Sequence, residues 1–153
     1  MAHYPLNHHL RPAYRLLAGL AGLYFALVGL IGLAKTWGDP FFYRHGGDWS
    51  LGLRVNPASA WLYTIVGVVL LAAVLLGGNL FQRVAIVLGW GLCGASVLVM
   101  AFIQTDANIL NASMINVIVT IALGLVTLTA GLYGKVGSHD AADAEAAAAH
   151  GAR

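Results

Sequence analysis

Four long apolar runs, none with a charged side chain or an imidazole near its centre, leave this chain few ways to fold. Each run approaches the roughly 20 residues that a helix needs to cross a bilayer. Of its 153 residues 59% are hydrophobic and only 9% charged, with a mean hydropathy of +0.79. A soluble domain averages about 25% charged residues and could not hide so much apolar surface; lipid can take it. The sequence therefore predicts an all-α membrane protein with four transmembrane helices in an antiparallel bundle. Arg outnumbers Lys, and Ala and Gly are abundant, a composition compatible with a GC-rich bacterial genome.

The expected spans are about 13–35, 57–77, 81–104 and 109–133 within a transmembrane domain of residues 13–135. Residues 1–12 form an N-terminal tail. Residues 136–153 form an Ala-rich tail without an apolar stripe, expected to be disordered. The first run is longer than the 7–15 residues of a signal h-region. No A-x-A-like site precedes Lys35, so a retained helix is expected. Asn56-Pro57 is a strong helix start, because Asn caps free N–H groups and Pro suits the first turn. Gly77-Gly78-Asn79 predicts a tight turn, and Asp106 and Asn108 offer caps for the last span. Segments one and three each open near an arginine (Arg15, Arg83) and turn Gly-rich. Segments two and four open near Asn56 and Asn111 and reach Gly67 and Gly124. These parallels suggest two copies of one helical hairpin.

Charge-free spans exclude several functions. Ion pumps, proton-coupled carriers and haem-binding bundles need charge or imidazole at membrane depth. All six histidines (His3, His8, His9, His45, His139, His150) lie outside the spans. Cys93 is the only cysteine, so no disulfide or multi-cysteine metal site can form within the chain. No nucleotide-binding loop, catalytic triad or zinc motif occurs. A net charge of +2 without a basic stripe argues against a nucleic-acid partner. An active site could draw only on Asp39, Arg44, His45, Asp48 and Asp106; neither enzyme activity nor a cofactor is expected.

Two places could make specific contacts. Ser113, Asn116, Thr120, Gly124, Thr127 and Gly131 recur at spacings of three and four, forming one small or polar face of the fourth span. Such a face packs against neighbouring helices, or, together with Asn111, lines a pocket for a lipid or quinone. In the first span Gly19, Gly22, Ala26 and Gly29 form a second small face. The 36–56 loop carries Trp37, Phe41, Phe42, Tyr43, Arg44, Trp49 and Arg54. These read as an interfacial belt lying on the membrane surface, or as the anchors of a partner-docking site.

From Leu53 to Leu71 the chain reads L-R-V-N-P-A-S-A-W-L-Y-T-I-V-G-V-V-L-L. This resembles the second helix of an actinobacterial four-helix membrane family, domain of unknown function four-three-eight-three, with its N-P-x-H-N-x-x-H-x-x-x-G pattern. Asn56, Pro57 and Gly67 match, while Ser59, Ala60 and Tyr63 replace the family's His, Asn and His. Near the fourth helix Asn116 and Gly124 fit, and Thr120 replaces a His. The resemblance covers about residues 13–133 and implies a bacterial plasma-membrane bundle without an assignable activity.

The expected function is a non-catalytic accessory or scaffolding subunit of a membrane assembly, contacting membrane lipids and a protein partner or further copies of itself. The alternative is a binder or carrier of a lipophilic molecule near the fourth helix. Arg11, Arg15, Arg83, Lys135 and Arg153 share one side, against Lys35, Arg44 and Arg54 on the other, which predicts cytoplasmic termini.

Overall fold

The computed structural model describes residues 6–44, 46 and 48–138. The expected Ala-rich tail from residue 139, and His45, lie outside them. Four helices form the bundle: α1 (Arg11–Lys35), α2 (Pro57–Leu76), α3 (Gly78–Phe102) and α4 (Met114–Leu132). Each is long and apolar enough to span a membrane. The chain is a multi-pass, all-α membrane protein in architecture. A short hairpin, β1 (Asp48–Ser50) and β2 (Leu53–Val55), interrupts the α1–α2 link.

Within each hairpin, helices meet where glycine lets backbones touch. In lipid, apolar side chains gain nothing by leaving the solvent, so close backbone packing must hold helices together. A Cβ on Gly67 of α2 would overlap the Ala26 backbone of α1, and one on Gly89 of α3 would sit 2.6 Å from the Leu128 Cα of α4. The two hairpins repeat these contacts in register. Gly22 faces Leu71 as Gly89 faces Leu128; Gly67 faces Ala26 as Gly124 faces Cys93; Gly19 faces Val74 as Ile86 faces Gly131. One constant offset relates α1 to α3, and another relates α2 to α4. This register pairs Asn56 with Ser113 and Arg15 with Gln82, correcting the alignment expected from Asn111 and Arg83.

Helix ends differ from expectation for local reasons. Gly77 and Gly78, with φ of 69° and 59°, reverse the chain together, so α3 begins at Gly78 rather than near 81. The fourth helix starts at Met114, not near 109. Asn111 adopts a left-handed φ of 51°, and Asn108 bonds to Ile103 O and Ala112 O, holding residues 103–113 in turns. The cap is Ser113, whose N–H and Oγ–H both donate to Asn116 Oδ1, rather than Asp106 or Asn108.

The loop between α1 and α2 does not simply lie on the membrane surface. Leu53 and Val55 of β2 are buried with Phe25, Val28, Tyr63 and Leu92. Ser50 Oγ donates to Val28 O at 2.8 Å, and Lys35 Nζ to Trp49 O at 2.7 Å. The hairpin turn is Leu51-Gly52, both with positive φ (47° and 89°). A leucine there is unfavourable; Tyr24 holds it by donating its hydroxyl to Leu51 O. On the opposite side Arg15 donates to Val74 O and Leu75 O, closing the C-terminal end of α2. Helix C-termini favour such a cation.

Replacing Gly67 by Val should destabilise the bundle by roughly 1–3 kcal/mol or more, through overpacking against backbone. Gly91→Ala, where a Cβ meets nothing within 4 Å, should change stability by less than about 0.5 kcal/mol. Unfolding titrations in mixed micelles would compare the two; equal effects would contradict the packing account.

Candidate functional site

The register of the two hairpins exposes a difference between their two seams. Where α1 meets α4, on the side of the 36–56 loop, β2 fills the gap. Leu53 and Val55 pack on Phe25 and Val28 of α1, with Val119 and Leu123 of α4 against the same cluster, and Val55 lies over Gly32. Where α2 meets α3 no hairpin intervenes, because the α3–α4 link contains no strand. There the structure has a cavity of about 230 Å³. Its lining includes Leu92, Ala95 and Val99 of α3, and Leu62 and Val66 of α2. These are the counterparts, at the same two offsets, of Phe25, Val28, Gly32, Val119 and Leu123. The cavity is thus the empty twin of the site that β2 fills.

Leu110 and Ala112 close the cavity at the loop side. Leu62, Gly91 and Ala95 in its lining are exposed, so it opens sideways along the α2–α3 seam. Its polar groups gather where α2 faces α4: Ser59, Tyr63, Asn116 and Thr120, with Ser96 across from them on α3. Two of these are already engaged. Ser59 bonds within the Asn56 capping box, and Ser96 Oγ donates to Leu92 O at 2.8 Å.

Asn116 is the structural hub. Its Nδ2 donates to Arg54 O at 2.8 Å and to the Tyr63 hydroxyl at 3.0 Å; its Oδ1 accepts the Arg54 N–H at 3.1 Å. The amide thereby pairs with β2 as a neighbouring strand would. Arg54 reinforces the same junction, donating Nε to Asn111 O at 2.8 Å and Nη2 to Ala112 O at 2.9 Å. Asn56, fully buried, donates to Tyr43 O and Ile109 O.

Tyr63 and Thr120 are register counterparts and face each other at the junction of the hairpins. Thr64, Thr127 and Thr129 all donate back to the carbonyl four residues earlier. Thr120 instead has the Tyr63 phenol as its hydrogen-bond partner. Tyr63 accepts from Asn116. The Tyr63–Thr120 hydroxyl pair, with one donor proton beyond the bond between them, therefore borders an otherwise apolar cavity.

The residues expected on the fourth span divide. Asn116 and Thr120 line the cavity and Ser113 caps α4 beside it. Asn111 instead staples the loop, donating Nδ2 to Gly46 O at 3.0 Å, and Thr127 is buried in the bundle outside the cavity lining. Of the loop residues, Arg54 is drawn into the junction. Trp37 is 89% exposed, and Phe41, Phe42, Tyr43 and Trp49 are exposed too, Phe41 and Phe42 edge to face at 4.8 Å. Arg44 donates to the Asp106 carbonyl and lies 3.9 Å from its carboxylate. Sequence reading named Tyr63 only as the replacement for a family His, not as a pocket residue. Its signal was its place in the repeat, at the position matching Thr120.

Among the described residues no group of three His, Cys, Asp or Glu side chains gathers. No family model, curated protein or solved structure matches this chain.

Asn116→Leu would strip partners from the buried Arg54 N–H and C=O and from Tyr63. Each buried group left without a partner costs about 1–3 kcal/mol, so the variant should lose at least about 2 kcal/mol. Amide exchange at Arg54 should accelerate strongly. A variant as stable and as protected as the parent would refute the hub role.

Proposed function

We propose that this chain is a non-catalytic membrane protein that binds one lipophilic molecule in the lateral cleft between α2, α3 and α4. The observation that carries this reading is the mismatch between twin seams. One is filled by the protein's own Leu53 and Val55; the other offers a matching apolar space that opens toward lipid. A volume of about 230 Å³ lies below the roughly 300–1,000 Å³ of sites that enclose a drug-sized ligand. It suits a single chain or head ring, the rest of the molecule staying among the acyl chains.

An accessory-subunit reading draws on the small-residue faces of the first and fourth spans and on the aromatic loop. Gly22, Gly29, Gly124 and Gly131 all meet helices of the same chain, so those faces give no support to a partner. The exposed rings of Trp37, Phe41, Phe42 and Trp49 suit the aromatic belt at a membrane–water boundary. Orientation in a bacterial plasma membrane with both tails cytoplasmic is supported by Arg11, Arg15, Arg83 and Lys135 on the tail side. Kinship with the actinobacterial family rests on Asn56, Pro57, Gly67, Asn116 and Gly124, residues that also build the bundle described above.

Native mass spectrometry of the protein released from mild detergent should detect one retained neutral lipophile. Ala95→Phe, which fills the cleft mouth, should abolish that retention while leaving the thermal midpoint within a few degrees of the parent. The same adduct on both proteins would overturn the cleft assignment.

A further inference from the structure

We infer that the cleft selects an uncharged lipophile carrying a carbonyl group, received by the hydroxyls of Tyr63 and Thr120. This deepens the proposed function and rests on it. Three observations converge. The cavity lining holds no Asp, Glu, Lys, Arg or His. The guanidinium of Arg54 lies outside that lining and donates to the carbonyls of Asn111 and Ala112. A carboxylate or ammonium head would therefore be desolvated without a counter-charge, which is strongly unfavourable.

The polar groups that border the apolar space also have a definite hydrogen-bonding sense. Asn116 uses its amide on Arg54, Ser113 and Tyr63, and Ser59 and Ser96 are engaged locally. That leaves the Tyr63 and Thr120 hydroxyls. The phenol oxygen already accepts from Asn116 and pairs with Thr120, so the two hydroxyls together have one proton left to offer; an acceptor is the complementary group. An alkane would leave that capacity unused, and a pure donor would compete with Asn116.

The filled twin shows the matching chemistry within the same protein. There β2 inserts two branched aliphatic side chains, Leu53 and Val55, and presents the Arg54 carbonyl to a side-chain donor, Asn116 Nδ2, at 2.8 Å. An aliphatic body with one carbonyl is what that seam accepts. Ser59, the register counterpart of Asn116, lacks the amide that would clamp a second peptide strand. The free seam therefore suits a small molecule, either a quinone-type ring or an acyl ester.

The test uses the full chain in alkyl maltoside micelles, which contain no carbonyl. Four probes with ten-carbon tails are compared by equilibrium binding: a decyl benzoquinone, an ethyl decanoate ester, decylbenzene and the decanoate anion. The quinone, the ester or both should bind more tightly than decylbenzene and decanoate. Tyr63→Phe and Thr120→Val should each weaken the carbonyl probes by roughly 3- to 10-fold, the loss of one hydrogen bond, and leave decylbenzene unchanged. Thr120→Val preserves shape, so it decides the matter should Tyr63→Phe fail to fold. Quinone binding alone identifies a ring head, and ester binding alone a glycerolipid-like one. Equal binding of all neutral probes, lost only in Ala95→Phe, overturns the carbonyl inference and keeps the cleft. Preferential binding of decanoate overturns the inference too. Probe binding unaffected by Ala95→Phe overturns the cleft itself.

Discussion

Backbone-to-backbone contact at glycine is the constraint on which this bundle depends. Between two helices in lipid, leucine against leucine is worth little more than leucine against an acyl chain. Gly22, Gly67, Gly89 and Gly124 let α1 reach α2 and α3 reach α4 closely enough for dispersion to accumulate over many atoms. These contacts hold two rigid pairs of the same design. Everything specific to this molecule arises where the pairs are joined.

The junction is asymmetric because only one inter-helix link contains a hairpin. β2 enters one seam and carries a strand edge into the bundle, where unpaired N–H and C=O groups are expensive. Asn116 resolves that cost by presenting donor and acceptor together to Arg54. Once the amide is spent there, the neighbouring phenol of Tyr63 is fixed as its acceptor, and it meets the Thr120 hydroxyl at the edge of the cavity. A structural solution on one side thus sets the polar character of the cavity on the other.

The spans were legible in sequence because hydropathy reports burial in lipid directly, and Asn56-Pro57 marked the start of α2. The β-hairpin was not. Its turn is Leu51-Gly52, without the Asn-Gly or Asp-Gly signal that left-handed turns favour, and it is held by the distant Tyr24. Asn116, Thr120 and Arg54 stood out as polar residues, but their partners lie more than fifty positions away in sequence, so spacing along one helix could not assign their roles. Tyr63 was hidden for a related reason. A tyrosine in an apolar run looks like packing until the repeat places it opposite Thr120.

The two buried-side arginines sharpen the case against charge-driven chemistry. Arg15 closes the exposed carbonyls of Val74 and Leu75 at the end of α2, and Arg54 closes those of Asn111 and Ala112 before α4. Each guanidinium satisfies backbone that helix ends and turns leave open, and each ties together parts of the chain distant in sequence. Cations with that duty hold the fold in register, and neither lines the cavity. What the cavity lining presents is then shape, apolar surface and one hydroxyl pair. Recognition on those terms discriminates by hydrogen-bond complementarity, since a buried donor left unmatched costs more than a matched one gains.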